Sequence, residues 1–195
     1  MRLLAITGSP VRNGNLETLT RLALEALEGE AVARLSPDEE ISSIHYRLYD
    51  LEIRPCVACA RCSGSYRCTI RDDVDRLIAE IKEADLTILG TPVYWFSVSG
   101  MLKHFLDRTN SQWYGKGLAG QKLAALMTQG RAGAEQTEEL LQLYAKHQGM
   151  EWVGSYAVTT RDHINLVLHN EEIQGEVERL AAGWMERALD RGQNG

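Results

Sequence analysis

The chain has 195 residues, of which 44% are hydrophobic and 25% charged, as expected for one ordinary globular domain with its own core. Its formal net charge of −6 argues against non-specific binding to nucleic acid, whose phosphates attract basic surfaces. No apolar run is long enough to span a bilayer, and the run within Met1–Pro10 is too short for a secretory signal. We therefore expect a single cytoplasmic domain over residues 1–195, with neither nucleic acid nor a membrane as its partner.

Short apolar runs alternate with helical patterns along the chain. The predicted strands are Leu3–Thr7, Ile44–Tyr49, Leu86–Leu89, Leu123–Thr128 and Trp152–Val158. The predicted helices are Asn15–Leu27, Asp73–Ala84, Met101–Leu106, Ala134–His147 and Ile173–Arg191. Strands that alternate with helices form a parallel sheet covered on both faces. With right-handed crossovers, we expect an α/β fold whose doubly wound five-stranded parallel sheet has the order 2-1-3-4-5.

Glycine, proline and polar residues set the predicted element boundaries. Gly29 is expected to end the first helix, and Gly90-Thr91-Pro92 to end the third strand. Ala31–Ser43 contains a proline and several acids, so we expect a surface excursion there. Gln112–Gly120 is expected to be a glycine-containing loop.

The loop after the first strand has the sequence Gly8-Ser9-Pro10-Val11-Arg12-Asn13-Gly14-Asn15 and opens a helix. Backbone N–H groups and the helix dipole favour an anion at such a position. Ser9 and Asn15 add donors, and Arg12 adds a full charge. The loop is neither the dinucleotide fingerprint nor the Walker P-loop, because the glycine spacing differs and Gly-Lys-Ser/Thr is missing. A phosphate site and an ordinary strand-to-helix turn both stay open.

Four large apolar residues follow the third strand in an expected loop: Val93, Tyr94, Trp95 and Phe96. Soluble proteins do not normally leave such a group in water, so we expect it to face a flat ligand or a partner chain. Ser97 or Ser99 is expected to cap the helix that follows. In the predicted topology this loop and the first loop meet at the rim where open α/β sheets bind ligands. A phosphate that carries a planar ring fits both loops, and flavin mononucleotide (FMN) is the leading candidate.

Four cysteines lie close together, at Cys56, Cys59, Cys62 and Cys68, within a loop at about 54–72. In a reducing compartment this clustering favours a metal or redox role over disulfides. The two-residue gaps and the longer gap with Gly64 let four thiolates converge on a compact cluster. Zinc sites with four cysteines usually place two Cys-x-x-Cys pairs farther apart. A cluster, free or structural thiols, zinc and a redox disulfide all stay open.

Charged residues near these motifs have ordinary interpretations. Asp107 and Arg108 end the central helix and are expected to form an exposed ion pair there. His163 follows Asp162, but no nucleophile motif is nearby, so a loop turn is favoured over a catalytic pair. Four arginines flank the cysteine loop and either stabilise thiolates or are solvated surface charge: Arg54, Arg61, Arg67 and Arg71.

The sequences GSPVRNGN and GTPVYWFSVSGMLKHFLDR together resemble the flavodoxin-like NAD(P)H-dependent FMN reductases. With the four cysteines, the chain also resembles the iron–sulfur flavoproteins. The resemblance covers most of the chain up to about Gly130 and implies a flavodoxin-like fold and a [4Fe–4S] cluster on the cysteines. The chain departs from the family pattern at Val11, where the family usually has arginine, and at Leu16, where it usually has a hydroxyl residue.

The same resemblance implies which residues form an FMN site. At the phosphate these are Ser9, Arg12, Asn15 and Leu16; along the isoalloxazine ring they are Pro92, Val93, Tyr94, Trp95 and Phe96. A third contact loop is formed by Thr128, Gln129 and Gly130.

The sequence thus predicts an FMN-dependent oxidoreductase that takes hydride from NADH or NADPH. Its electrons go to a quinone, a flavin or another redox acceptor, or to the cluster, and no acid or base of the protein is required because the flavin carries the chemistry. A flavodoxin-type electron carrier that does not oxidise NAD(P)H is the first alternative, and a zinc-stabilised interaction domain is the second. Trp113 and Tyr114 are expected at a subunit contact, in a homodimer or homotetramer.

Overall fold

Five strands form one parallel sheet in the computed structural model, which describes residues 1–161 and 163–190. The strands are β1 (Arg2–Thr7), β2 (Ser42–Arg47), β3 (Leu86–Pro92), β4 (Lys122–Gln129) and β5 (Glu151–Thr159). The helices are α1 (Asn15–Arg34), α2 (Cys62–Ser65), α3 (Val74–Glu83), α4 (Gly100–Arg108), α5 (Asn110–Gly115), α6 (Ala134–Gln148) and α7 (Glu171–Leu189). Short 3₁₀ turns cover Leu48–Asp50 and Val167–His169.

The strand order is β2-β1-β3-β4-β5, and every neighbouring pair is parallel, which confirms the predicted doubly wound sheet. Strand β3 lies at the centre and each of its residues is buried, as its apolar run indicates. The chain reverses its direction of travel across the sheet between β1 and β3. Ligands of open α/β sheets bind at such a reversal, beyond the carboxyl ends of the strands.

Two hydrophobic cores lie on opposite faces of the sheet, because successive side chains of a strand point to opposite sides. From β1, Leu3 and Ala5 enter the core beneath α1 and α7, whereas Leu4 and Ile6 enter the core beneath α3, α4 and α6. The predicted helical layers on both faces are therefore confirmed. No helix in the part of the chain described above is long and apolar enough to cross a membrane.

Helix α1 passes through Gly29, so the prediction that this glycine ends the helix was wrong. Leu27 and Ala31 are both completely buried, and their burial continues the helix to Arg34. Gly29 lies on the open face, where an added Cβ would meet no atom within 4 Å. A helical glycine costs about 1 kcal/mol relative to alanine, which the packing on either side outweighs. The surface excursion predicted for Ala31–Ser43 therefore begins only after Arg34.

Strand β3 runs through Gly90-Thr91-Pro92, which had been predicted to end it. Gly90 pairs with Thr7 of β1, and its carbonyl accepts a hydrogen bond of 2.9 Å from the N–H of Gly8. A Cβ on Gly90 would lie 2.7 Å from Cγ2 of Thr7, so this close approach requires glycine. Pro92 is tolerated because β3 pairs with β1 only as far as Gly90, so the missing N–H of the proline breaks no hydrogen bond to β1.

Two other predicted boundaries differ from the structure. The predicted loop Gln112–Gly120 begins inside α5, a short helix that ends where Lys116 adopts a φ of 51°. The predicted closing helix extended to Arg191, which lies outside the described residues; α7 as described ends at Leu189.

Candidate functional site

A cleft of about 200 Å³ opens beyond the carboxyl ends of β1, β3 and β4. It is lined by Ser9, Val11, Gly14, Asn15, Leu16, Pro92, Tyr94, Thr128, Thr160, His163 and Ile164. The predicted meeting of the first loop and the aromatic loop at one rim is therefore confirmed. Larger hollows of about 310 and 550 Å³ lie elsewhere, at the opposite rim and beside α1, away from the strand reversal.

The first loop presents the start of α1 to this cleft. Gly14 is the N-cap residue, and without a side chain it gives no cap to the N–H groups of the first turn. A Cβ at Gly14 would lie 2.9 Å from Cγ1 of Val11, so the close approach needs glycine. Ser9 is buried, and its Oγ accepts a hydrogen bond of 3.2 Å from the N–H of Val11, which leaves its own hydroxyl proton to donate. These donors, with the dipole of a 20-residue helix, favour an anion.

The side chain of Arg12 points away from the cleft toward Asp50, to which it is bonded at 2.6 Å. The Arg12 side chain is 69% exposed, and exposed ion pairs contribute only about 0–1 kcal/mol. Leaving Asp50 for a phosphate would therefore cost little. Leu16 is buried in the core beneath the loop, so its side chain packs and offers no polar contact.

Asn15 uses its amide within the protein. Its Nδ2 donates to the carbonyl of His163 at 2.7 Å, and its Oδ1 accepts from the N–H of Val167 at 3.1 Å. This clasp joins the start of α1 to a segment after β5 that forms the outer wall of the cleft. Sequence reasoning missed that wall, because no local motif marks Thr160 or Ile164 as cleft residues. The N–H of His163 donates to the carbonyl of Thr160 at 2.8 Å, as in the favoured loop turn, and Asp162 lies outside the described residues.

The aromatic loop is a tight turn. The N–H of Tyr94 donates to the carbonyl of Ser97 at 3.0 Å, and the N–H of Ser97 donates back to Tyr94 at 3.1 Å. Both central residues are left-handed, with φ of 49° at Trp95 and 59° at Phe96. Left-handed conformations cost non-glycine residues about 1–2 kcal/mol each. Strain of this kind is concentrated at functional sites, where the surrounding structure holds it in place.

Neighbouring elements hold this turn. Oγ1 of Thr91 accepts the N–H of Ser99 at 2.9 Å, and Oγ of Ser99 accepts the N–H of Leu102 at 3.2 Å. Ser99 is thus the cap of α4, one of the two predicted candidates. Gly133, with φ of 107°, packs so closely that a Cβ there would lie 3.0 Å from Cα of Phe96.

The turn is also largely exposed. Trp95 is 95% exposed, and Tyr94 and Phe96 are about half exposed. This apolar surface borders the cleft, because Tyr94 lines it directly. Partial burial, and then the neighbouring Tyr49, raise the pKa of Tyr94 above that of an ordinary tyrosine.

The third predicted contact loop reaches the cleft with only one of its residues. Thr128 lines the cleft, and its carbonyl accepts the N–H of Val93 at 2.8 Å. Gln129 instead bridges Oγ1 of Thr159 and the N–H of Ala134, each at 2.9 Å. The carbonyl of Gly130 accepts the N–H of Arg161 at 3.0 Å. Gln129 and Gly130 thus connect the end of β4, next to Thr128, with the end of β5 and the start of α6.

The cysteine loop closes on a second, mostly apolar cavity. Cys56, Cys59, Cys62 and Cys68 all line it, and all four are free thiols. A hydrogen bond from the N–H of Arg61, and then one with Thr69, lower the pKa of Cys59. The lowered pKa favours the thiolate of Cys59, the form that binds metals. The N–H of Ala58 donates to Sγ of Cys56 at 3.4 Å.

Over residues 1–161 and 163–190, no group of three or more histidine, cysteine or acidic side chains is placed to hold a metal ion. A [4Fe–4S] cluster differs from one ion in that each thiolate binds a different iron. Four thiols around one cavity match that donor set in number and type, and N–H groups donate to the sulfurs of Cys56, Cys59 and Cys68.

Arg108 is not the exposed partner of Asp107 that the sequence predicted. Asp107 pairs with Lys103 one turn earlier on α4. The side chain of Arg108 is 0% exposed and is bonded at 2.6 Å to Asp72, which is also 0% exposed. A residue 36 positions away cannot be assigned as a partner from the local pattern of a helix end.

Trp113 and Tyr114 lie on α5, with their rings edge to face and 4.9 Å between centroids. Both remain substantially exposed. The next residue, Gly115, packs against Tyr66 of the cysteine loop, since a Cβ there would lie 3.3 Å from that ring. Their predicted subunit contact stays a prediction.

The sheet order and the cleft at its reversal define a flavodoxin-like protein. A family model described as NADPH-dependent FMN reductase matches residues 1–163, and the chain belongs to that family.

Two curated relatives are iron-sulfur flavoproteins. One, from Methanocaldococcus jannaschii, is 39% identical over 109 residues, which are 56% of this chain and 52% of the relative. The other, from Archaeoglobus fulgidus, is 35% identical over 153 residues, 77% of this chain and 71% of the relative. This chain spans about half the length of several of the curated relatives that it matches.

The solved structure of an NADH:FMN oxidoreductase in its apo form has the same fold. Its TM-score is 0.69, with 21% identity, over 95% of this chain and 89% of that one.

Proposed function

We propose that this chain is an FMN-dependent oxidoreductase that oxidises NADH or NADPH. Its electrons pass to a small acceptor such as a quinone or flavin, to a redox protein, or to a [4Fe–4S] cluster on the Cys56–Cys68 loop. The observation that carries the proposal is the single cleft shared by an uncapped helix start and a strained aromatic turn. FMN, when bound, supplies the hydride acceptor and the onward electron transfer, so the protein's part is to bind and orient it.

The first loop is the phosphate end of the proposed site. The N–H groups at the start of α1 and the hydroxyl of Ser9 would donate to phosphate oxygens. Arg12 would add its charge after leaving Asp50. Asn15 would act mainly on the wall segment, because its amide is already engaged there.

The aromatic turn is the ring end. Its two internal hydrogen bonds use the N–H groups of Tyr94 and Ser97, which leaves those of Trp95 and Phe96 for heteroatoms of the ring. Pro92, Val93 and the aromatic side chains would cover the apolar part of the ring. Thr128, held in place by Gln129 and Gly130, would contact the ring edge from the third loop.

The four cysteines would hold the cluster. Their cavity measures about 30 Å³, less than a cluster needs, so the outer part of the loop would have to move outward to admit one. That part carries the exposed Cys56 and Cys59, together with Ala58 and Ala60 at φ of 52° and 58°. Opening it would relieve two left-handed residues at little cost in buried surface.

The proposed partners are a nicotinamide and an oxidised acceptor. The exposed Trp95 and Trp113 favour a homodimer or homotetramer, in which such surface would be covered.

Anaerobic purification followed by flavin, iron and sulfide assays tests the proposal. We expect stoichiometric FMN, and iron with sulfide when oxygen is excluded. Mixing the oxidised protein anaerobically with NADH or NADPH should bleach the flavin. Bound FMN without bleaching would instead indicate the flavodoxin-type carrier. A chain that never binds FMN would contradict the whole proposal, whereas a lack of iron would remove only the cluster.

A further inference from the structure

We propose that Arg108 is the positioning residue of the cysteine site. Its side chain joins the two ends of the cysteine loop, at Arg54 and at Ile70–Asp72, which together form the neck of the loop. It also directs a cationic N–H at the sulfur of Cys68. The part of this inference that concerns a cluster rests on the proposed function. The part that concerns the loop applies equally to the metal-free protein.

Each of the five N–H donors of Arg108 has an acceptor. Nε donates to Sγ of Cys68 at 3.2 Å, and the two terminal nitrogens hold both oxygens of Asp72 at 2.6 and 3.0 Å. The remaining two bonds go to backbone carbonyls, that of Arg54 at 2.8 Å and that of Ile70 at 3.1 Å. Because the guanidinium is planar and rigid, these five bonds fix its position and that of every acceptor.

The acceptors lie on both sides of the cysteines in the chain. Arg54 precedes Cys56, whereas Ile70 and Asp72 follow Cys68. Asp72 completes the neck, since its Oδ2 also accepts the N–H of Arg54 at 3.0 Å. One buried side chain from α4 therefore closes the loop that carries all four thiols. The rest of the loop can open for a cluster while its neck stays in place.

The contact with Cys68 separates this role from simple loop closure. The carbonyls and Asp72 would suffice to close the neck, but a charge-assisted donor on a ligand sulfur also stabilises the more negative, reduced state of a cluster. The four arginines that flank the loop in sequence are all exposed and so are poorly placed for this; the side chains of Arg54 and Arg71, for example, are 50% and 76% exposed. Water screens charges in such positions.

Three variants test the inference. Arg108→Gln combined with Asp72→Asn removes both charges and leaves no unpaired buried ion, which favours folding. Arg108→Lys keeps the charge but loses the planar fork, and Arg71→Gln removes an exposed arginine as the matched control.

In the metal-free proteins we expect the double variant to exchange the amide hydrogens of residues 54 and 68–72 about tenfold faster or more, because the bonds that hold these segments together are lost. Arg108→Lys should fall between the double variant and the wild type, and Arg71→Gln should match the wild type. Wild-type rates in the double variant would overturn the inference.

A measurement on the wild-type protein tests the contact between Arg108 and Cys68 even if the variants fail to fold. The side-chain Nε–H resonance of Arg108 should be protected from exchange and should show a cross-peak to the Cβ protons of Cys68. An Arg108 Nε–H that exchanges like a solvated arginine would rule out the inference.

After cluster assembly, the double variant should lower the reduction potential of the cluster while that of FMN is unchanged. An unchanged cluster potential would contradict the role assigned to the Cys68 contact. If no cluster forms in any of the proteins, the proposed cluster fails, and the metal-free measurements still decide the role of Arg108 in the loop.

Discussion

Gly14 stands where α1 begins, directly against Val11 at the mouth of the cleft. Its φ of −84° is open to any residue, so its need for glycine comes from space alone. A methyl group there would approach Cγ1 of Val11 to 2.9 Å and push the loop outward. The N–H groups that face the cleft belong to that loop and to the first turn of α1.

Gly14→Ala is therefore expected to weaken FMN binding. Displacing the loop should weaken at least one N–H bond to the phosphate, which is worth about 1.5 kcal/mol or about tenfold in affinity, measured by fluorescence titration. Gly29→Ala is the matched control, because an added Cβ there meets nothing within 4 Å. It should leave FMN binding unchanged and raise the free energy of unfolding by about 1 kcal/mol. Equal FMN affinity in both variants would show that the loop does not hold the phosphate.

Arg12 carries the charge proposed for the phosphate contact, and its side chain pairs with Asp50. Arg12→Gln should weaken FMN binding by about tenfold at low salt, and the difference should shrink at high salt because the contact is exposed. Arg21→Gln removes a similar exposed arginine, paired with Glu25 on α1. Comparable losses in the two variants would indicate a general effect of net charge rather than a phosphate contact.

Among the elements, the turn Tyr94–Ser97 combines high exposure with backbone strain. Both properties oppose stability in the absence of a ligand, since water meets apolar rings and two bulky residues are left-handed. Tight hairpin turns with left-handed central residues strongly prefer Asn-Gly, which adopts this backbone at low cost. The turn therefore has the backbone of an ordinary hairpin, but its central residues are large and apolar, which favours binding over stability.

Replacing Trp95→Asn and Phe96→Gly together should stabilise the FMN-free protein by about 1–2 kcal/mol, measured by urea unfolding. The same variant should lose the stabilisation that FMN gives the wild type, about 2.7 kcal/mol at an FMN concentration one hundred times the Kd. A variant that is less stable without FMN would show that the aromatic rings pack within the fold. One that still gains stability from FMN would place the ring elsewhere.

Helix α4 connects the aromatic turn with the cysteine loop. Ser99 caps its start beside the aromatic turn, and Arg108 at its end holds the cysteine loop. Both residues are buried, so each end of the helix is fixed in the fold. The helix itself was predictable from the spacing of Met101, Leu102, Phe105 and Leu106.

For the whole molecule, what could be predicted from the sequence is what depends on local patterns. The apolar strands and helical repeats determine the sheet order, and the order brings Ser9 and Tyr94 to one cleft. The errors concern residues whose partners are distant in sequence. Gly29 stays helical because of the core beneath it, and Arg108 is buried because Asp72 meets it there. No local pattern contains that information.

Asn15 is a further residue whose partners are distant in sequence, since they lie 148 and 152 residues further along the chain. The side chain joins the first βα unit to the segment after β5, and so sets the outer wall of the cleft with His163 and Ile164. Its two hydrogen bonds to the backbone at His163 and Val167 are each worth about 1 kcal/mol. An asparagine that had been assigned to the phosphate thus has a structural contact that spans the fold.

Asn15→Ala distinguishes the two roles. If Asn15 holds the wall, the amide of Val167 should exchange about tenfold faster in the FMN-free variant, measured by hydrogen exchange, and FMN binding should weaken only a few-fold. If Asn15 also contacts the phosphate, FMN affinity should fall much further than a few-fold. A wild-type exchange rate of Val167 in the variant would contradict the wall role. Gln142→Ala on the exposed face of α6 is the control and should change neither quantity. Loss of the two Asn15 hydrogen bonds should loosen the segment at His163 and Val167. FMN affinity should fall together with the protection of Val167 only if that segment contacts the ligand.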